Sequence, residues 1–69
     1  MAATVDARGL SCPQPVILAR RALEAGDLPV VVLVDTVTAR ENVTRMAQKA
    51  GFQVQVEAEA EEFRLTITK

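Results

Sequence analysis

The sequence predicts a two-layer α+β sandwich within the broad α/β class, with element order β-α-β-α-β-β and both helices on one face of a four-stranded sheet. Three observations carry that prediction. Two segments, 16–23 and 39–50, place apolar residues at helical spacing. Val30–Val34 is a continuous apolar run of the kind found in a central strand covered on both faces. The last third of the chain alternates apolar and polar residues with the period of two that a half-buried strand needs. A chain of 69 residues buries about 60% of its unfolded surface, enough for one thin core. A single domain, 1–69, is therefore expected, and 49% apolar against 25% charged residues is the composition of a folded chain.

Each element has a local reason. Ala3–Ala7 is a short candidate strand that ends at Arg8-Gly9, where glycine permits a left-handed turn. Cys12-Pro13-Gln14-Pro15 reads as a helix start, because proline lacks an N–H that the first turn would leave unpaired anyway. Val16, Leu18, Ala19, Ala22 and Leu23 form the apolar stripe of that helix, opposite Arg20, Arg21 and Glu24, and Gly26 stops it. Ile17 falls on the polar side, as a partner contact or simply an exposed residue. After the Val30–Val34 strand, closed by Asp35, Thr38 and Glu41 suggest a capping box for a second helix. Ala39, Val43, Met46, Ala47 and Ala50 share one arc of it, and Gly51 ends it. Asp35 and Asn42 read mainly as cap or turn residues. Phe52, Val54, Val56 and Ala58, then Phe63, Leu65 and Ile67, are the buried faces expected of two strands with one wet face each. Their connection, Ala60-Glu61, has no Gly or Asn to indicate a turn type. With both helices on one side, part of the central Val/Leu run must face the other. Either a partner covers that part or long neighbouring side chains do.

Composition removes several chemistries. There is no histidine, which excludes a Ser-His-Asp triad, a Cys-His pair within the chain and every His-ligated metal site. A single cysteine, Cys12, excludes an intramolecular disulfide and any CxxC motif. No cofactor and no metal-ligand set is expected. The net charge of −1 carries no bulk signal for nucleic acid, and no direct nucleic-acid binding is expected. The helices hold five basic side chains against two acidic ones, a balance of +3, while 57–69 holds four Glu against Arg64 and Lys69, a balance of −2. The N-terminus lacks a basic segment followed by an apolar run, so no signal peptide is expected, and no stretch is long enough to cross a membrane. A lone thiol fits a reducing compartment, and a cytoplasmic location is expected.

What remains is one thiol at a helix start. Unpaired amides and the helix dipole at such a place favour the thiolate, and thiolates are the reactive form. Sulfur transfer needs little more: a thiolate attacks the outer sulfur of a donor persulfide, and the leaving thiolate requires no proton relay. The opposing reading is a buried, inert cysteine. Around Cys12, Pro13 and Pro15 either initiate the helix or also aim the thiol. Gly9 serves the turn, and Arg8 either stabilises the thiolate or makes a surface salt bridge.

The stretch Val5-Asp6-Ala7-Arg8-Gly9-Leu10-Ser11-Cys12-Pro13-Gln14-Pro15-Val16 resembles the N-terminal signature of the TusA/SirA/YedF family of small sulfur-carrier proteins. Val34-Asp35, Ala39-Arg40-Glu41-Asn42-Val43 and Phe63-x-Leu-x-Ile look most like the YedF N-terminal domain type. The resemblance spans essentially the whole chain. It implies a mixed sheet in the order 1-2-4-3 with one strand antiparallel. It implies that Cys12 is the active cysteine, carrying a persulfide from a cysteine desulfurase or other donor to an acceptor sulfurtransferase or DsrE-like protein. Arg8, Gly9, Pro13 and Pro15 would support that cysteine. The expected activity is a sulfurtransferase-type relay rather than that of a stand-alone enzyme. A non-catalytic interaction or regulatory module and a redox-sensing thiol are the alternative readings.

Overall fold

Six elements occur in the expected order. They are β1 (Ala3–Asp6), α1 (Gln14–Glu24), β2 (Val30–Val34), α2 (Val37–Lys49), β3 (Gln53–Glu59) and β4 (Glu62–Thr68). The computed structural model describes residues 3–11, 13–26 and 28–69. The strands form one sheet in the order β1-β2-β4-β3. β1 runs parallel to β2, whereas β4 runs antiparallel to both of its neighbours. This is the mixed sheet that the resemblance implies.

The core lies between the helices and one sheet face. Val30, Val32 and Val34 of β2 and Leu65 and Ile67 of β4 are fully buried, as are Ala19 of α1 and Val43 and Ala47 of α2. Register explains the pairing: Val32 stands opposite Leu65 and Val30 opposite Ile67, so period-two alternation sends all of them to one side. On the other side, Val31 and Leu33 are half-buried, between Thr4 and Thr66 and between Asp6 and Arg64 in the cross-strand rows. Neighbouring side chains therefore cover much of them.

Local departures from the expected elements have clear causes. The cap of α2 is Thr36, not Thr38. Its backbone is extended and its Oγ1 accepts the amide of Ala39 at 3.1 Å, so the helix begins at Val37. That cap position leaves Ala39, rather than Glu41, three residues into the helix, and no capping box forms. Glu41 instead pairs with the guanidinium of Arg40 at 3.6 Å. Asn42 sits within α2, past its cap at Thr36. At the other end, the amide of Gly51 donates to the carbonyl of Gln48 and that of Phe52 to Ala47, a Schellman closure that uses the left-handed glycine. Phe52 is consumed in that stop, so β3 starts one residue later than its apolar alternation suggests. β1 ends one residue earlier, at Asp6, although the amide of Ala7 still donates to Leu33 at 2.8 Å.

The far half of β3 corrects a second expectation. Val56 is 44% exposed and Ala58 is also exposed, so burial on the helix side stops at Val54. β3 is an edge strand, and α2 does not cover that far half. The β3–β4 hairpin turns through two residues, since Glu59 pairs with Glu62. Ala60 takes φ 53°, and it is the non-glycine residue with positive φ among those described. A side chain there costs about 1–2 kcal/mol relative to glycine. Part of the gain on removing it is lost to the greater freedom of an unfolded glycine, so Ala60→Gly should stabilise the fold by about 0.5–1 kcal/mol. Thermal unfolding should show Tm rising by about 2–8 °C; an unchanged or lower Tm contradicts the strain.

Candidate functional site

The β1–α1 connection is held by hydrogen bonds at successive residues. Leu10 donates its amide to the carbonyl of Ala7 at 3.4 Å, closing a turn with Arg8 and Gly9 at its centre. Gly9 has φ +76°. Positive φ at the third residue alone is the type II arrangement, which favours glycine there. Every amide of the turn has a partner. Arg8 donates its N–H to Asp6 Oδ1 at 3.2 Å, and Gly9 donates to Asp35 Oδ2 at 2.9 Å across from the end of β2. Asp35, read from sequence mainly as a cap or turn residue, is thus a brace for this loop.

Arg8 makes the surface salt bridge. Its Nε and Nη2 donate to the two carboxylate oxygens of Asp6, each at 2.9 Å, and Nη1 reaches Glu62 Oε1 and Oε2 at 3.2 and 3.0 Å. These hydrogen bonds hold the Asp6 carboxyl at about 2, below its ordinary 3.8, and raise the Arg8 guanidinium above its usual range. The side chains are 40% and 56% exposed, so water screens the pair and its net contribution is small. A carboxyl whose folded pKa is depressed contributes stability above its unfolded pKa and loses it as pH falls through the folded value. Thermal midpoints followed from pH 7 to pH 2 should therefore drop more steeply below about pH 4 in the parent chain than in Asp6→Asn. Parallel curves for the two proteins contradict the pairing.

From this turn the chain enters α1. Ser11 accepts the amide of Gln14 at 2.9 Å, and Pro13 stands at the N-cap without a side-chain cap bond. Pro15, in the first helical turn, is fully buried. It combines helix initiation with core packing, a role that sequence reasoning missed because proline is usually an exposed residue. Cys12 lies outside the described residues. The residues on either side of it in the chain, Ser11 and Pro13, line a cleft of about 210 Å³ together with Leu10, Val16, Thr36 and Ala39. The first turns of both helices border that cleft, and helix N-termini favour negative charge. Ile17 is 43% exposed, one turn beyond Pro13. The structure therefore places Pro13 and Pro15 on this cleft and Gly9 in the turn before it, and commits the charge of Arg8 to Asp6 and Glu62.

Comparison with known proteins decides the family. A family model described as sulfurtransferase TusA matches residues 3–69. The chain belongs to the TusA family. Members of this family act generally as sulfur carriers that relay sulfur to partner proteins. A crystal structure of a SirA-like protein from Desulfitobacterium hafniense superposes on this TusA-family chain with a TM-score of 0.86 at 37% identity, covering 96% of this chain and 95% of that one. No curated protein matches the chain significantly. Among the described residues, no helix is long and apolar enough to cross a membrane.

Proposed function

We propose that Cys12 accepts a persulfide from a donor such as a cysteine desulfurase and passes it to an acceptor sulfurtransferase or DsrE-like protein in the cytoplasm. The observation that carries this reading is the position of the only cysteine, at a proline-braced helix start inside a chain that matches the TusA family over 3–69. In loading, the Cys12 thiolate attacks the outer sulfur of the donor persulfide. The donor's S–S bond breaks, the donor leaves as a thiolate, and Cys12 holds the new S–S bond. Delivery repeats the exchange, with the acceptor thiolate attacking the outer sulfur and Cys12 leaving. Neither step needs histidine. The chain acts as a relay between larger proteins rather than as a stand-alone enzyme.

The surroundings fit a thiol that must be reached. Gly9, Pro13 and Pro15 shape the approach to it, and Arg8 contributes by anchoring the turn before it. Ile17 offers an apolar contact beside that approach to a docking donor or acceptor. Incubation with a cysteine desulfurase and cysteine, followed by intact mass measurement, tests the proposal. The parent chain should gain one sulfur, about 32 Da, and Cys12→Ala should gain none. An adduct that persists in Cys12→Ala, or none in the parent, overturns it.

A further inference from the structure

Arg8 and Gly9 are held by three carboxylates that lie at or just past the ends of three different strands. Asp6 ends β1, Asp35 follows β2 and Glu62 opens β4. The strand register accounts for the meeting. Asp6 stands beside Leu33, and Leu33 opposite Arg64. Just beyond that row, Arg8 follows the end of β1, Asp35 follows the end of β2 and Glu62 opens β4, so the three come together at one end of the sheet. The bonds made there are Gly9 N–H to Asp35 at 2.9 Å and Arg8 Nη1 to Glu62 at 3.0 Å.

These two carboxylates do little for the core. Asp35 is exposed, the Glu62 side chain is 45% exposed, and no buried polar or charged residue occurs among the described residues. What they do hold is a turn centred on the most deformable residue type, in a conformation that glycine alone adopts without strain. We propose that Asp35 and Glu62 are positioning residues: they pin the Arg8-Gly9 turn to the sheet and thereby preset the approach of Cys12 to a persulfide donor. The proposal rests on the persulfide-carrier reading. Its physical content is preorganisation, since a displacement of about 1 Å at a reacting group can cost up to about 100-fold in rate. Asp35 acts on the backbone directly. Glu62 acts through a solvent-exposed guanidinium, so its effect is smaller and weakens as salt rises.

The test compares Asp35→Ala, Asp35→Asn and Glu62→Gln with the parent chain, using a cysteine desulfurase and cysteine as the loading system. Asp35→Ala should load about 10-fold more slowly, with a nearly unchanged Tm, and Asp35→Asn, which keeps an acceptor oxygen, should recover to within about 3-fold. Glu62→Gln should slow loading about 3-fold at low salt and scarcely at high salt. Amide exchange at Gly9 and Leu10 is read in parallel and should quicken in Asp35→Ala but not in Asp35→Asn. If the parent loads sulfur but Asp35→Ala loads equally fast, the positioning role is wrong and the carrier reading stands. If the parent does not load, the carrier reading fails and exchange decides the pinning by itself. Unchanged protection at Gly9 and Leu10 in Asp35→Ala then overturns it, and lost protection upholds it.

Discussion

Leu65→Ala should remove about 3 kcal/mol of stability, within the range of about 2–5 kcal/mol measured for leucine truncation in packed cores. Leu65 is fully buried at the centre of β4, opposite Val32 of β2 on one side and Val56 of β3 on the other. It therefore fills the space beneath the helices at the sheet's middle, where no flexible loop can collapse into a vacancy. The loss is large for so small a fold. At about 0.05–0.15 kcal/mol per residue, 69 residues provide only about 3–10 kcal/mol in total. Urea titration should show the midpoint falling by about 2–3 M with an unchanged slope, or no folded baseline at all. A loss below about 1 kcal/mol contradicts the central place given to Leu65.

Ala47→Leu should cost about 2 kcal/mol for the opposite reason. Ala47 on α2 and Ala19 on α1 are both fully buried, in helices that pack on each other and on the sheet. Their small side chains let the two helices approach the sheet closely, and added carbon has nowhere to go without moving a helix. The control is Ala50→Leu. Ala50 shares the same apolar arc in sequence, but it is exposed at the helix end, and its enlargement should change stability by less than about 0.5 kcal/mol. Thermal unfolding of the two variants separates the cases. Equal effects contradict the close packing at Ala47.

The reach of sequence reasoning is visible in particular residues. Val30–Val34 was legible as a central strand because a continuous β-branched run suits little else, and its bounds match the structure. The helix stops at Gly26 and Gly51 were legible because left-handed closure strongly favours glycine. The start of α2 was less so. Thr36 and Thr38 are chemically equal candidates for a cap, and only the extended backbone at Thr36 distinguishes them. The wet end of β3 was hidden as well. Val56 and Ala58 keep the alternation of a buried face, but α2 does not cover them there.

For the candidate site, the sequence by itself determined the chemistry that is possible. One thiol and no histidine exclude an intramolecular disulfide, a Cys-His pair within the chain and any His-ligated metal, because those properties depend on which groups exist. The tertiary structure alone decided which groups meet. That Arg8 also reaches Glu62, and that Asp35 reaches the Gly9 amide, depends on strand order and register. Glu62 lies 54 residues from Arg8 in the chain. The carboxylates that hold the turn before Cys12 carry no local pattern to mark them. Asp35 and Glu62 become neighbours of the turn only when β1, β2 and β4 align, which is why the sequence left Arg8 between a thiolate partner and a surface salt bridge and the folded sheet supplied the salt bridge.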